Sequence, residues 1–149
     1  MNFSLTSRSP EETIEFGRRF GSQLKGGEVI ALVGPLGSGK THLIKGIVEG
    51  LGTQDAPNEV TSPTFVLVNE YEGRLDIFHI DAYRINSLRE FEQIGFDDYC
   101  YPGSVVLIEW ADKIQQALAG ITYIRIELSH LNETGRLIRI TNAPDYIRL

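Results

Sequence analysis

The chain has 149 residues, 42% hydrophobic and 23% charged, with a formal net charge of −6. This ordinary balance and length predict one soluble domain over residues 1–149, and no apolar run approaches the roughly 18 residues of a membrane span. The N-terminal MNFSLTSRSPEET lacks the apolar core of a secretory leader, and Cys100 is the only cysteine, which excludes a disulfide framework and a cysteine metal cluster; no disulfide-linked partner is expected.

A reducing, cytoplasmic setting is the expectation. The basic residues are scattered, with Arg8, Arg18, Arg19 and Lys25 early and Arg125, Arg136, Arg139 and Arg148 late. Without a basic face, direct tight binding to nucleic acid is disfavoured.

In chain order, Ser9-Pro10-Glu11-Glu12 reads as a helix start, with a serine cap, a proline in the first turn and a glutamate three after the cap. Thr13, Phe16, Gly17, Phe20 and Leu24 follow at helical spacing, and Gly26-Gly27 is the expected stop. Val29–Val33 is apolar throughout, as central parallel strands are. A glycine-rich loop leads to a second helix carrying Leu43, Ile44, Ile47, Val48 and Leu51 on one face, closed by Gly52. Residues 65–71 and 75–81 flank Glu72-Gly73-Arg74 as a hairpin. Ser87 and Glu90 form a second capping box, before Phe91, Ile94 and a stop at Gly95. Val105–Ile108 is another buried strand, ending on Glu109-Trp110, and a short helix spans residues 114–118. Residues 123–128 and 136–141 pair around Asn132-Glu133-Thr134-Gly135. The expected fold is α/β, a P-loop NTPase-like three-layer sandwich with a mixed parallel and antiparallel sheet.

Gly34-Pro35-Leu36-Gly37-Ser38-Gly39-Lys40-Thr41 matches G-x-x-x-x-G-K-[ST]. Glycines let the backbone curl so that successive N–H groups point at phosphate oxygens, and the following helix adds its positive N-terminal end. Lys40 supplies an ammonium for the outer phosphates, and the Thr41 hydroxyl is a magnesium ligand. The four fixed positions match by chance in on the order of one chain in a few hundred. A strand before and a helix after make chance a poor explanation here. His42 is read as an ordinary first-turn residue.

Phosphate loops also need an acid at a neighbouring strand end to hold magnesium, and Glu109 closes VVLIEW. Trp110 either packs beside that site or is an ordinary core or surface aromatic. In His79-Ile80-Asp81-Ala82-Tyr83-Arg84, strand alternation puts His79 and Asp81 on one face. His79 reads first as a satisfied sheet histidine. Asp81, a candidate to orient attacking water, and Arg84, a candidate phosphate contact, are equally open to structural roles. Thr61-Ser62-Pro63-Thr64 suits a loop that senses the γ-phosphate, and equally a plain turn. No N-K-x-D segment and no D-x-x-G after the loop appears, which points to ATP over GTP. An arginine-rich kinase lid is also missing.

Taken together, GPLGSGKTHLIKGIVEGLG (34–52), VTSPTFVLVNEY (60–71), HIDAYRI (79–85) and IEWADKI (108–114) resemble, in order and spacing, the TsaE family (formerly YjeE). The resemblance spans roughly residues 9–142, and SPTF, H-x-D-x-Y-R and E-W are its specific parts. It implies the ATPase component of bacterial tRNA threonylcarbamoyladenosine synthesis. Such a protein binds a TsaD–TsaB pair and supports repeated cycles of modification, with the tRNA held mainly by those partners. By the same resemblance Lys40 and Thr41 serve phosphate and Mg2+, Glu109 completes the metal site, and Asp81 is needed for hydrolysis. Ser62–Phe65, including Thr64, would sense the nucleotide. Trp110, the stretch around Ser9–Thr13 and Arg136 would lie near it. His42 departs from a usual threonine or serine, and Asp112-Lys113 from a usual Glu-Arg pair. Two other readings remain: a phosphotransferase acting on a small metabolite, and an ATP-gated binding module without turnover.

Overall fold

The computed structural model describes residues 1–53 and 68–149. Seven strands form one sheet in the order β1-β7-β6-β2-β5-β4-β3. They are β1 (Phe3–Ser7), β2 (Val29–Val33), β3 (Val68–Glu72), β4 (Asp76–Asp81), β5 (Ser104–Glu109), β6 (Ile124–His130) and β7 (Arg136–Thr141). The four central strands β6, β2, β5 and β4 run parallel, and antiparallel pairs flank them at both edges. Every residue of β2 and β5 is buried. Strands covered on both faces can be apolar without alternation, which is why Val29–Val33 and Val105–Ile108 are so legible.

Helices α1 (Pro10–Ser22) and α2 (Lys40–Gly50) cover one face. The side chains of Phe16, Phe20, Leu43, Ile44 and Ile47 meet Ile30, Leu32, Val105 and Leu107 there. Helices α3 (Leu88–Ile94) and α4 (Phe96–Tyr99), with a 3-10 segment at Ala111–Leu118, cover the other face over Ala31, Phe78, Ile80, Val106 and Ile108. The expected three-layer α/β architecture with a mixed sheet is therefore present.

Both capping boxes form. Ser9 Oγ accepts from the Glu12 N–H at 3.1 Å, and Ser87 Oγ from the Glu90 N–H at 3.1 Å. Helix α1 stops earlier than the glycine pair suggested, its C-cap being Gln23. Gly26-Gly27 serves the turn into β2 instead. A Cβ at Gly26 would lie 2.1 Å from the Pro102 carbonyl oxygen, and the buried Glu28 carboxylate accepts the N–H groups of Lys25 and Gly26, both at 2.7 Å. Strand β1, which the sequence reading missed, pairs with β7 as Leu5↔Ile138. Helix α4 was also missed.

Helices α1 and α2 cross at a glycine seam. A Cβ at Gly17 would stand 2.6 Å from the Leu43 carbonyl oxygen, and one at Gly46 would stand 2.1 Å from that of Ile14. Gly21 and Gly50 face equally close backbone. Backbone-to-backbone contact of this kind fixes where α2 sits on the sheet, and so where its N-terminus opens.

Candidate functional site

The N-terminus of α2 lies at the C-terminal end of β2, and the loop between them is residues 34–39. The Ser38 N–H closes a turn onto the Pro35 carbonyl at 3.1 Å, and Gly39 takes a left-handed conformation just before Lys40. Gly39, the residue before α2, supplies no side-chain cap, and the helix N-terminus with its positive dipole end opens toward the cleft above it. That cleft holds about 270 Å³ and is lined by Leu36–His42, by Ser9, Pro10 and Thr13, by Glu109 and Trp110, and by Glu133, Thr134 and Arg136.

Lys40 is folded back on its own loop. Its Nζ donates to the carbonyls of Gly34 (2.5 Å) and Pro35 (3.1 Å) and sits 3.8 Å from the centre of the Trp110 ring. Burial pulls its pKa below the usual lysine value, while Glu109, Asp112 and Asp81 pull it back up. Ser38 Oγ is buried and has no partner among the described residues.

Glu109 brings a carboxylate to the opposite wall, and strand register sets what stands beside it. In the parallel pair β4–β5, Asp81 stands beside Glu109 and His79 beside Leu107. Register neighbours and residues two apart share a face, so His79, Asp81 and Glu109 all lie on the face covered by α2. His79 Nε2 is 2.9 Å from Glu109 Oε2, and both side chains are buried. Asp81 Oδ1 accepts the Tyr83 N–H at 2.9 Å. Partial burial pushes the Asp81 carboxyl above the usual range, and the neighbouring Glu109 adds to that; the Tyr83 N–H, His79 and Lys40 oppose it. Trp110, with a left-handed backbone at φ 58°, packs on Tyr83 with ring centres 4.9 Å apart.

With this geometry in view, comparison with known proteins is specific. Residues 7–138 match the family model for the threonylcarbamoyl adenosine biosynthesis protein TsaE. The TsaE of Treponema pallidum (strain Nichols) is 40% identical over 134 residues, covering 90% of this chain and 96% of that protein. The TsaE of Rickettsia bellii (strain RML369-C) is 32% identical over 143 residues, covering 95% and 96%. The chain belongs to the TsaE family. The crystal structure of Bacillus subtilis YdiB superposes with a TM-score of 0.74 at 29% identity, covering 99% of this chain and 89% of that one.

The structure brings most of the TsaE-type positions to one cleft: the loop, Lys40, Thr41, Glu109, Trp110, Thr13 and Arg136 all line it. Thr13 is buried, its hydroxyl 2.7 Å from Ser7 Oγ, so it shapes the wall. Arg136 donates to the Asn132 and Gly135 carbonyls and to that of Gly37 at 3.2 Å, tying the β6–β7 turn to the loop. Neither Asp81 nor Arg84 is among the lining residues, Asp81 standing beside Glu109 in the sheet, and Thr64 with the rest of Ser62–Phe65 lies outside the described residues. Lys113 Nζ donates to the Tyr83 carbonyl, so one member of the divergent Asp112-Lys113 pair braces the segment after Asp81. Glu133 and Thr134, read from sequence only as a turn, also reach the cleft.

No helix among the described residues is long and apolar enough to cross a membrane, and no cluster of three or more His, Cys, Asp or Glu there could cage a metal.

Proposed function

We propose that this chain binds ATP with Mg2+ in the cleft above α2 and hydrolyses it, as the accessory ATPase of threonylcarbamoyladenosine formation on tRNA, acting with a TsaD–TsaB pair. One observation carries the reading: a buried ammonium, a helix N-terminus without a side-chain cap and the Glu109 carboxylate share one cleft, with Asp81 beside Glu109 in strand register.

In this reading Lys40 leaves the Gly34 and Pro35 carbonyls to meet the β and γ phosphates. Backbone N–H groups of the glycine-rich loop and the first turn of α2 take the remaining oxygens. Thr41 and Glu109 hold the Mg2+. The donor set fits that ion, because Mg2+ is usually held by one or two carboxylates together with substrate phosphates and water, rather than by a protein cage. When bound, the ion neutralises charge on the phosphates. Asp81 has one oxygen occupied by the Tyr83 N–H, which fixes the carboxylate so that it can orient the attacking water. Ser9, Pro10 and Thr13 form the wall for the nucleoside end, with Trp110 and Arg136 beside the phosphates. The Ser62–Phe65 loop, with Thr64, would report the γ-phosphate to the partners. A chain of net charge −6 leaves the tRNA to those partners.

The test is reconstituted threonylcarbamoyladenosine formation with substoichiometric TsaD and TsaB. It is run without this chain, with it, and with Lys40→Ala. Multiple turnover should require the wild-type chain and release ADP and phosphate. Modification that proceeds equally well in its absence would refute the role, and a phosphorylated metabolite would establish the phosphotransferase reading instead.

A further inference from the structure

The buried histidine of β4 has a task that the phosphate-loop reading leaves unused. We infer that His79 is a positioning residue for Glu109: its Nε2–H holds one carboxylate oxygen so that the other is presented to the divalent cation. This deepens the proposed function and rests on its reading of Glu109 as a metal ligand.

Glu109 is the last residue of β5, and a glutamate there has three side-chain torsions to fix. A ligand that swings among rotamers binds a cation weakly, because ordering it costs affinity. Among the described residues one contact does the fixing. His79 Nε2 reaches Glu109 Oε2 at 2.9 Å across the β4–β5 pair, with both side chains nearly fully buried. A carboxylate only accepts hydrogen bonds, so Nε2 carries the proton. The other ring nitrogen, Nδ1, is buried with no partner among the described residues. Nδ1–H left unpaired would cost more than a bare lone pair, so the ring is set as the Nε2–H tautomer. His79 thus spends its one donor on Glu109. It also lies two residues before Asp81 on the same face, deeper in the sheet, so it grips Glu109 from below while the cleft remains open above. Histidine and carboxylate partners that orient metal ligands commonly change metal affinity by about 10–100-fold when removed.

The experiment measures ADP affinity of the full chain by calorimetry, at saturating Mg2+ and in EDTA, and takes the ratio as the Mg2+ gain. His79→Leu should lower that gain about tenfold and leave the EDTA affinity within about twofold. His79→Gln, which keeps an N–H within reach of Glu109, should restore the gain to within about threefold of wild type. Combined with Glu109→Gln, His79→Leu should add nothing. An unchanged gain in His79→Leu, or a loss that adds in full to that of Glu109→Gln, would overturn the inference, because a merely structural histidine predicts either result. A measurement on the wild type needs no variant to fold. Nitrogen NMR of labelled histidine should show His79 as the Nε2–H tautomer, and the Nδ1–H form would sink the idea. Failure of the underlying reading looks different, since the wild-type chain would then show no Mg2+ gain at all.

Discussion

The two walls of the cleft are built in opposite ways. The phosphate-loop wall is eight consecutive residues, Gly34–Thr41, and its geometry is mostly backbone: a turn, a left-handed Gly39 and the open end of α2. The acidic wall rests on three side chains from two strands, of which Glu109 lines the cleft and His79 and Asp81 flank it. His79 and Glu109 are 30 residues apart in sequence, and parallel register alone brings them together. A wall written in consecutive residues carries its shape wherever β2 and α2 are packed. A wall written in register depends on each side chain being held in place, which is why His79 and the Tyr83 N–H sit beneath and beside the two acids.

The largest expected effect breaks the first wall. Lys40→Ala should lower ATP affinity about a hundredfold, as expected for losing charge-assisted hydrogen bonds of about 1.5–3 kcal/mol each. Calorimetry with a non-hydrolysable ATP analogue and Mg2+ checks it. A loss below about threefold would mean that the ammonium never leaves Gly34, Pro35 and Trp110.

The same contrast explains what could be read in the sequence. The loop was legible because its chemistry needs fixed residue types at fixed spacing, and the flanking strand and helix were legible from uniform burial and period. Glu109 was found as the polar end of an apolar run. Its tie to His79 was not found: alternation put His79 and Asp81 on one face, but no local pattern says which strand lies alongside or in what register. Strand β1 failed for a similar reason, since FSLTS is short and polar and its partner β7 lies at the other end of the chain. Gly26-Gly27 read as a helix stop because stops and tight turns use the same residue. The close approach to Pro102, which decides between them, is a tertiary fact.

A smaller effect separates the motif from its support. Gly46 lies outside the motif, yet a Cβ there would meet the Ile14 carbonyl at 2.1 Å, whereas at Gly37 nothing lies within 4 Å. Gly46→Ala must therefore push α1 and α2 apart, at an overpacking cost of about 1–3 kcal/mol, or a Tm lower by roughly 3–10 °C. Gly37→Ala bears only the cost of its left-handed backbone, φ +77°, about 1–2 kcal/mol. Thermal melts should rank Gly46→Ala below Gly37→Ala in stability, and ATP affinity should rank them the other way. A Gly46→Ala variant that melts like the wild type would mean that the helices slide without cost and that the seam does not place α2.

The smallest effect concerns the acidic wall and has an unusual sign. Partial burial, with Glu109 alongside, raises the Asp81 carboxyl above its ordinary value of 3.8. The folded chain then binds that proton more tightly than the unfolded chain, so stability falls as pH rises from 3.8 through the folded value. Near neutral pH the ionised Asp81 works against the fold. Asp81→Asn removes the charge and keeps an oxygen for the Tyr83 N–H, so it should melt slightly above wild type near pH 7. That advantage should close as pH is lowered below 3.8, where both states are protonated in the wild type. An advantage constant across pH would assign the effect to packing, and a variant that melts lower at pH 7 would mean that attraction to Lys40 and His79 outweighs burial. In the expected case the phosphate wall stabilises the fold through backbone contacts, while Asp81 carries a charge whose burial His79, Lys40 and the Tyr83 N–H do not fully offset. A bound cation would compensate it, so the melting advantage of Asp81→Asn should shrink when Mg2+ and nucleotide are added.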